Sequence, residues 1–341
     1  MKKMTLLASI LAVSAATNVW AADKVTLKIG HFLPPLSTIH QKILTPWCND
    51  LNKESNGRIE CQLYPLNQLG GTPAQLVDQV RYGVADIVWT APGYSAGRFK
   101  TIEALETPFL LPNSRVGNQV AWKFFEKYSK DGEFKDFKVL SVQTDGGVTF
   151  HANKPLNNVS DLKGLKLRTP TRLASQIMKA LGGEAISIPP SQVAESISKG
   201  VVDGAMGAWE VVPPSKLDEV TKYHVLPEAG QPYPTVTVLM LLMNKNKYNS
   251  MPADLKAIFD KYSGPAMVER ITKAWEQAEK EAIDKTVAGK GTIAKFDANH
   301  TQQMQELTKS VTEQWIADAK KSGIDGQKLI DDIKQMVKEQ N

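Results

Sequence analysis

The sequence predicts an α/β protein made of two similar lobes. Three observations predict it. Strand-like and helical segments alternate through residues 25–90 in the order strand, helix, strand, helix, strand. The same alternation returns after residue 138. A shared phrase, helix end then Gly-Val-x-Asp then strand, occurs in both passes as "RYGVADIV" (81–88) and "SKGVVDGA" (198–205). Strands that alternate with helices must cross over and pair in parallel, so each pass reads as one parallel-type sheet flanked by helices.

In the first pass, "VTLKIGHF" (25–32) is a strand by its β-branched and alternating residues. "STIHQKILTPWCNDLNKES" (37–55) is a helix capped by Ser37 and ended at Asn56-Gly57. "RIECQLYP" (58–65) is the next strand, Thr72-Pro73 opens the helix "AQLVDQVRYG", and "VADIVWT" (84–90) is the third strand. In the second pass, "KVLSVQT" (138–144) and "VTFHAN" (148–153) are strands. "LKLR" (165–168) is a strand, and the helix "RLASQIMKAL" (172–181) ends at Gly182-Gly183. "AISIP" (185–189) is a strand, Ser191 caps "QVAESISKG", and "VVDGAMGA" (201–208) closes the pass. From 251 onward the chain is mostly helical, with Trp275, Ala278, Ala282 and Ile283 at helical spacing and charges of both signs that read as solvated faces.

The chain has 341 residues, enough for two domains, and its 42% hydrophobic and 23% charged composition is that of a globular protein. Its net charge of +5 is too mild and too scattered to predict a nucleic-acid partner. Residues 1–21 read as a secretory signal: Lys2 and Lys3, an apolar Met4–Ala16 core too short to span a bilayer, and a Val19-Trp20-Ala21 cleavage site. An uncleaved anchor is the alternative, and a lipoprotein would need a cysteine at the cleavage point. The apolar run "TVTVLMLLM" (235–243) is also too short for a membrane span. Two cysteines, Cys48 and Cys61, are expected to pair in an oxidising compartment, because no histidine pair or third thiol accompanies them as metal ligands.

No nucleophile–base constellation, metal-ligand spacing or phosphate-binding loop occurs, so no catalysis, metal or cofactor is expected. One residue stands out. Arg168 ends the strand "LKLR", and in open parallel sheets ligands bind at the carboxyl ends of strands. A guanidinium grips a carboxylate through two parallel hydrogen bonds. The alternative is that Arg168 joins Lys166 on a wet strand face.

The motifs "HFLPPLSTIHQ", "NGRIECQLYPLNQLGG", "GVADIVW", "PFLLPN", "LKGLKLRTP" and "SKGVVDGAMGAWE" occur in this order from about residue 25 to the end. In this the chain resembles the periplasmic solute-binding proteins of TRAP (tripartite ATP-independent periplasmic) transporters. The resemblance implies a two-lobe, type II-like binding protein with mixed sheets, hinge strands and a long helix spanning both lobes. It places the first lobe at 22–145 with about 236–265 returning to it, and the second at 146–235 with C-terminal helices at about 290–341. The connecting helix falls at 265–289, and the crossings near 142–150 and 233–241. It implies a monomer that hands an organic acid to membrane subunits driven by an ion gradient, or a sensor built on the same fold.

The same resemblance makes Arg168 the carboxylate contact. Many dicarboxylate-binding relatives place polar residues just after "GVVDG", whereas this chain has Ala205-Met206-Gly207-Ala208-Trp209. With Trp89, Tyr94, Phe32 and Phe150 near strand ends, Trp209 suggests aromatic walls and an aromatic monocarboxylate. Glu210 either meets a ligand hydroxyl or pairs with a lysine. Arg172, one helical turn (i+4) after Arg168, is the candidate second cation and would restore a C4-dicarboxylate reading; small 2-oxo or 2-hydroxy acids are the other rival ligands.

Overall fold

The computed structural model describes residues 24–95 and 97–340; the signal-peptide reading of residues 1–21 lies outside them. The strands in chain order are β1 (Val25–His31), β2 (Ile59–Tyr64), β3 (Ile87–Thr90), β4 (Phe137–Thr144), β5 (Thr149–Ala152), β6 (Lys166–Arg168), β7 (Glu184–Ile186), β8 (Gly204–Gly207), β9 (Tyr223–Pro227), β10 (Val238–Asn244) and β11 (Thr292–Phe296). They form a five-stranded sheet of order β2-β1-β3-β10-β4 and a six-stranded sheet of order β11-β9-β5-β8-β6-β7. Both sheets are mixed. In the first, β1 pairs in parallel with β2 and β3, and β10 runs antiparallel between β3 and β4. This position explains the apolar run at 238–243: β10 is covered on both faces, and a central strand of that kind needs apolar side chains throughout.

The repeated Gly-Val-x-Asp phrase has one structural job in both lobes. Gly83 and Gly200 follow their helices in the left-handed conformation, with φ of +76° and +69°, which glycine adopts without steric cost. The aspartates then fasten the next strand. Asp86 accepts from Lys28 N–H at 2.8 Å, and Asp203 accepts from Lys166 N–H at 2.9 Å. In each case the aspartate's own N–H donates to the carbonyl of the same lysine.

The chain crosses between sheets at 145–148 and again at 228–237, and Val148 pairs with Thr235 where the crossings meet. The third connection is the helix Pro265–Ala288, which leads into β11. Buried polar bonds hold this helix to the end of β4. Trp275 Nε1 donates to Thr144 O at 3.0 Å, and Asn118 Nδ2 donates to Thr272 Oγ1 at 2.9 Å. Asn118 Oδ1 in turn accepts from Thr144 N–H at 2.8 Å.

Two elements differ from expectation. The helix expected from Ser37 is a wide π-type stretch, Ile39–Leu44, followed by an α-helix, Thr45–Glu54. Pro46 accounts for the change, because proline lacks an N–H and crowds the preceding turn. The C-terminal helices do not all side with the second lobe. Helix Ala298–Lys321 packs on Arg172–Ala180, but Gly326–Lys338 also packs on Ser114–Phe124 and on 102–106 of the first lobe. Its buried Leu329, Ile330, Ile333 and Met336 form one apolar face, which is covered there. Lys127 anchors its Asp332 at 2.9 Å.

Cys48, on the helix, and Cys61, on β2, are bridged with Cα atoms 5.8 Å apart, and no free cysteine remains among the described residues. The sequence separation of 13 closes a short loop, for which the chain-entropy model gives a contribution of about 3 kcal/mol. The double variant Cys48→Ser/Cys61→Ser is therefore expected to melt several degrees lower, and thiol labelling of denatured, unreduced native protein should find nothing. Labelling of both thiols in such material would reject the bridge.

Candidate functional site

The carboxyl ends of β6 and β8 lie side by side, with Arg168 in register with Ala205. They face the residues that follow β1 and β3 in the other lobe. Between them is a cavity of about 70 Å³, lined by Phe32, Trp89 and Tyr94 from the first lobe and by Arg168, Met206 and Glu210 from the second. Asp145, Thr237 and Leu239, at the crossings, complete it. One water needs about 10–15 Å³ on this measure, so the space suits a small organic molecule. Arg168 and Tyr94 also line an outer vestibule of about 500 Å³, which places the arginine at the neck between the two.

Arg168 is 8% exposed. Its Nε–H donates to Ile188 O at 3.1 Å, which fixes the plane of the guanidinium. The Tyr94 hydroxyl lies within hydrogen-bonding reach; burial pushes that phenol's pKa up, and Arg168 opposes the rise. No carboxylate among the described residues forms an ion pair with Arg168, although twenty-three other such pairs are present. A buried cation without a counter-charge carries a desolvation cost that its hydrogen bonds only partly offset.

The aromatic wall belongs to the first lobe. Phe32 stacks on Trp89 with centroids 5.0 Å apart, and Tyr94 meets Phe32 edge-on at 5.2 Å. Two aromatic residues expected in the wall are elsewhere. Trp209 starts a tight turn after β8 that folds its ring behind the sheet, among Val193, Ile197 and Val202 and edge-on to His151 at 5.1 Å. Phe150 is fully buried in the main core, opposite Met206 on the neighbouring strand. Met206, rather than Trp209, forms the second lobe's apolar surface in the cavity.

Arg172 does not supply a second cation to the inner cavity. Its guanidinium forms a two-point pair with Glu103 of the first lobe, Nε to Oε1 at 3.0 Å and Nη2 to Oε2 at 2.7 Å. Trp315 Nε1 also donates to Glu103 Oε2 at 3.1 Å. Arg172 therefore ties the lobes together at the rim. Close by, a Cβ at Gly93 would meet Thr171 at 3.0 Å, so the lobes touch here as well. Glu210 lines the cavity, and it pairs with no lysine among the described residues.

Glu210 was expected at the site, whereas the buried acids Asp145, Glu106 and Glu279 were not foreseen. Asp145 Oδ1 accepts from Gly147 N–H and Thr237 N–H, both at 3.1 Å, and burial raises its pKa to about 6. Gly147 has φ +115°, and a Cβ there would fall 2.3 Å from the Tyr233 ring, so only glycine fits. Tyr233 donates to Glu279 Oε1 at 2.6 Å. Burial, followed by the Asp145 charge, raises the Glu210 carboxyl well above its ordinary value. Burial, followed by Glu103, pushes Glu106 up to about 8, although Val238 N–H donates to its Oε1 at 3.0 Å. The turn signal "TDGG" pointed to the crossing, but the partners of these acids come from distant strands. Burial thus disfavours the charged form of both Glu106 and Glu210.

Two lobes joined by crossing strands, with a buried arginine between them, have the architecture of a ligand-capturing binding protein. The chain belongs to the bacterial extracellular solute-binding proteins, family 7, whose model matches residues 29–318. The resemblance to the TRAP solute-binding proteins is thereby borne out, and solved structures agree. A TRAP solute-binding protein from Rhodoferax ferrireducens, in complex with copurified benzoate, is 35% identical with a TM-score of 0.89, over 93% of this chain and 98% of that one. A marine metagenome protein specific for aromatic acid ligands, co-crystallised with 3-hydroxybenzoate, is 34% identical with a TM-score of 0.90, over 93% and 99%. A Bordetella bronchiseptica protein with bound (R)- and (S)-mandelate is 25% identical with a TM-score of 0.82, over 93% and 100%.

Glu106 gives a pH test. Its folded pKa of about 8 lies above the unfolded value of 4.5, so the folded state holds the proton longer. The stability it contributes is complete below the unfolded pKa and is lost as pH rises towards about 8. Glu106→Gln cannot ionise. The variant's melting temperature is expected to gain on wild type as pH rises from 5 to 9, whereas parallel melting curves across that range would show that Glu106 titrates normally.

Proposed function

We propose that the protein is the periplasmic, monomeric binding component of a TRAP transporter, exported by a cleaved signal peptide, and that it captures an aromatic monocarboxylate for delivery to the membrane subunits. The observation that carries this reading is Arg168, a buried guanidinium at a strand end with no carboxylate partner among the described residues. The ligand carboxylate takes the place of that partner. Its ring lies in the inner cavity against Trp89 and Phe32 on one side and Met206 on the other. Burial of a ring there is favourable by about 25 cal/mol per Å². The aromatic acids bound by the structural neighbours support the same ligand class.

A C4-dicarboxylate fits less well. Its second acidic end would need a second anchor, and Arg172 is already engaged by Glu103. A signalling role would use the same pocket and is separated from transport by whether genes for two membrane subunits lie beside this one.

Calorimetric titration with benzoate tests the site. Arg168→Ala should lose on the order of 3–5 kcal/mol of binding, the cost of breaking a buried charge pair. Arg168→Lys should also bind poorly, because an ammonium cannot reproduce the planar two-point contact. Near-native affinity in Arg168→Ala would remove the residue from the site. A thermal-shift panel in which succinate and malate stabilise the protein and aromatic acids do not would overturn the ligand class.

A further inference from the structure

Resting on the aromatic-acid reading, we propose that Tyr94 is the first lobe's contact to the ligand carboxylate. Its hydroxyl donates to an oxygen of the same carboxylate that Arg168 holds from the second lobe.

Among the described residues, four line both the inner cavity and the outer vestibule: Tyr94, Arg168, Pro170 and Pro190. These four form the neck between the two spaces. The prolines have no N–H to give. The backbone N–H of Tyr94 donates to Ala91 O at 3.1 Å. The neck therefore offers an anion two kinds of donor, the Arg168 guanidinium and the Tyr94 phenol. Arg168 directs its Nε–H to Ile188 O, which leaves the Nη groups for a ligand. A carboxylate has two oxygens and about four acceptor sites, so an arginine fork does not fill it. With the ring in the inner cavity, the carboxylate stands at the neck, between the two side chains.

The local sequence brings Tyr94 there. Pro92–Tyr94 is a single tight turn just after β3. A Cβ at Gly93 would meet Thr171 at 3.0 Å, so the bare glycine lets this turn approach the chain just beyond Arg168. The Tyr94 ring packs edge-on against Phe32 at 5.2 Å. Its oxygen lies within hydrogen-bonding reach of the Arg168 guanidinium. A guanidinium only donates, so the oxygen accepts there and its own hydrogen points elsewhere. Among the described residues no acceptor takes that hydrogen. A carboxylate oxygen at the neck takes it, in a charge-assisted bond. A plain aromatic wall would need no hydroxyl, because phenylalanine offers the same ring surface.

The test is calorimetric titration with benzoate at pH 6 of wild type, Tyr94→Phe and protein with 3-fluorotyrosine in place of Tyr94. Melting curves of the ligand-free proteins establish folding. Phenylalanine keeps the ring and removes only the hydroxyl. The benzoate Kd should rise about ten- to a hundredfold in Tyr94→Phe, the size expected for one hydrogen bond to a charged group. Fluorine acidifies the phenol, which becomes a stronger donor and a weaker acceptor. The Kd of the fluorotyrosine protein should therefore fall below that of wild type. A hydroxyl that only accepted from Arg168, and so positioned it, would give the opposite shift. An unchanged Kd in folded Tyr94→Phe, or a fluorotyrosine Kd equal to or above that of wild type, would overturn the contact and leave the aromatic reading intact. The fluorotyrosine protein decides alone if Tyr94→Phe does not fold. Failure of benzoate to bind wild type would overturn both.

Discussion

A positive charge held out of water without a fixed counter-charge organises this molecule. Arg168 sits at the end of a short strand, with one nitrogen bonded to the Ile188 carbonyl and its guanidinium close to Tyr94. The ion pairs of the chain lie elsewhere, mostly on exposed surfaces where each contributes little. The acids nearest the cleft are arranged so as not to neutralise the arginine. Burial disfavours the charged forms of Glu106 and Glu210, and Asp145 Oδ1 accepts from backbone N–H groups. If Glu210 or Asp145 reached Arg168, the site would be satisfied internally and an anion would have to displace a built-in partner.

The crossings keep that arrangement while allowing the lobes to be joined. Thr144 is tied through Asn118 and Trp275 to the long helix, which fastens the end of β4 to it. Three residues further on, Gly147 leaves room for the Tyr233 ring from the return crossing. The hinge is thus narrow: a few residues between a firmly bonded strand end and the second sheet. Its acids, Asp145, Glu210 and Glu279, lie within this same small volume, which is why burial dominates the ionisation of each.

The repeated strand–helix alternation was legible because period and capping are local properties, and the Gly-Val-x-Asp echo proved to be a fastening used once in each lobe. Arg168 was legible because strand ends are where α/β sheets present ligand contacts. Trp209 was misplaced because strand alternation stops at Gly207, and the turn that follows decides where the ring goes. Arg172 was expected one helical turn from Arg168, but Arg168 ends a strand, the helix begins only at Arg172, and its partner Glu103 is 69 positions away in the other lobe. The same distance problem hid Glu106 and Asp145, whose partners Val238 and Thr237 come from the returning strand. Local pattern identifies an element; which groups meet across a cleft depends on how the elements are stacked.

The division of labour between lobes has a consequence for capture. The first lobe supplies Phe32, Trp89 and Tyr94, and the second supplies Arg168, Met206 and Glu210. Neither set alone offers both a charge partner and a ring surface. On the proposed function, a ligand would gain its full contact energy only with both lobes in place, which would make binding and closure one equilibrium. The rim pair between Glu103 and Arg172 biases that equilibrium modestly, since an exposed pair is worth about 0–1 kcal/mol. Under the proposed function, an anion that bonded Arg168 while its ring packed on the opposite lobe would favour a closed form over an open one. On the same reading, a closed shape would report occupancy to any partner that contacts both lobes, without a separate signal.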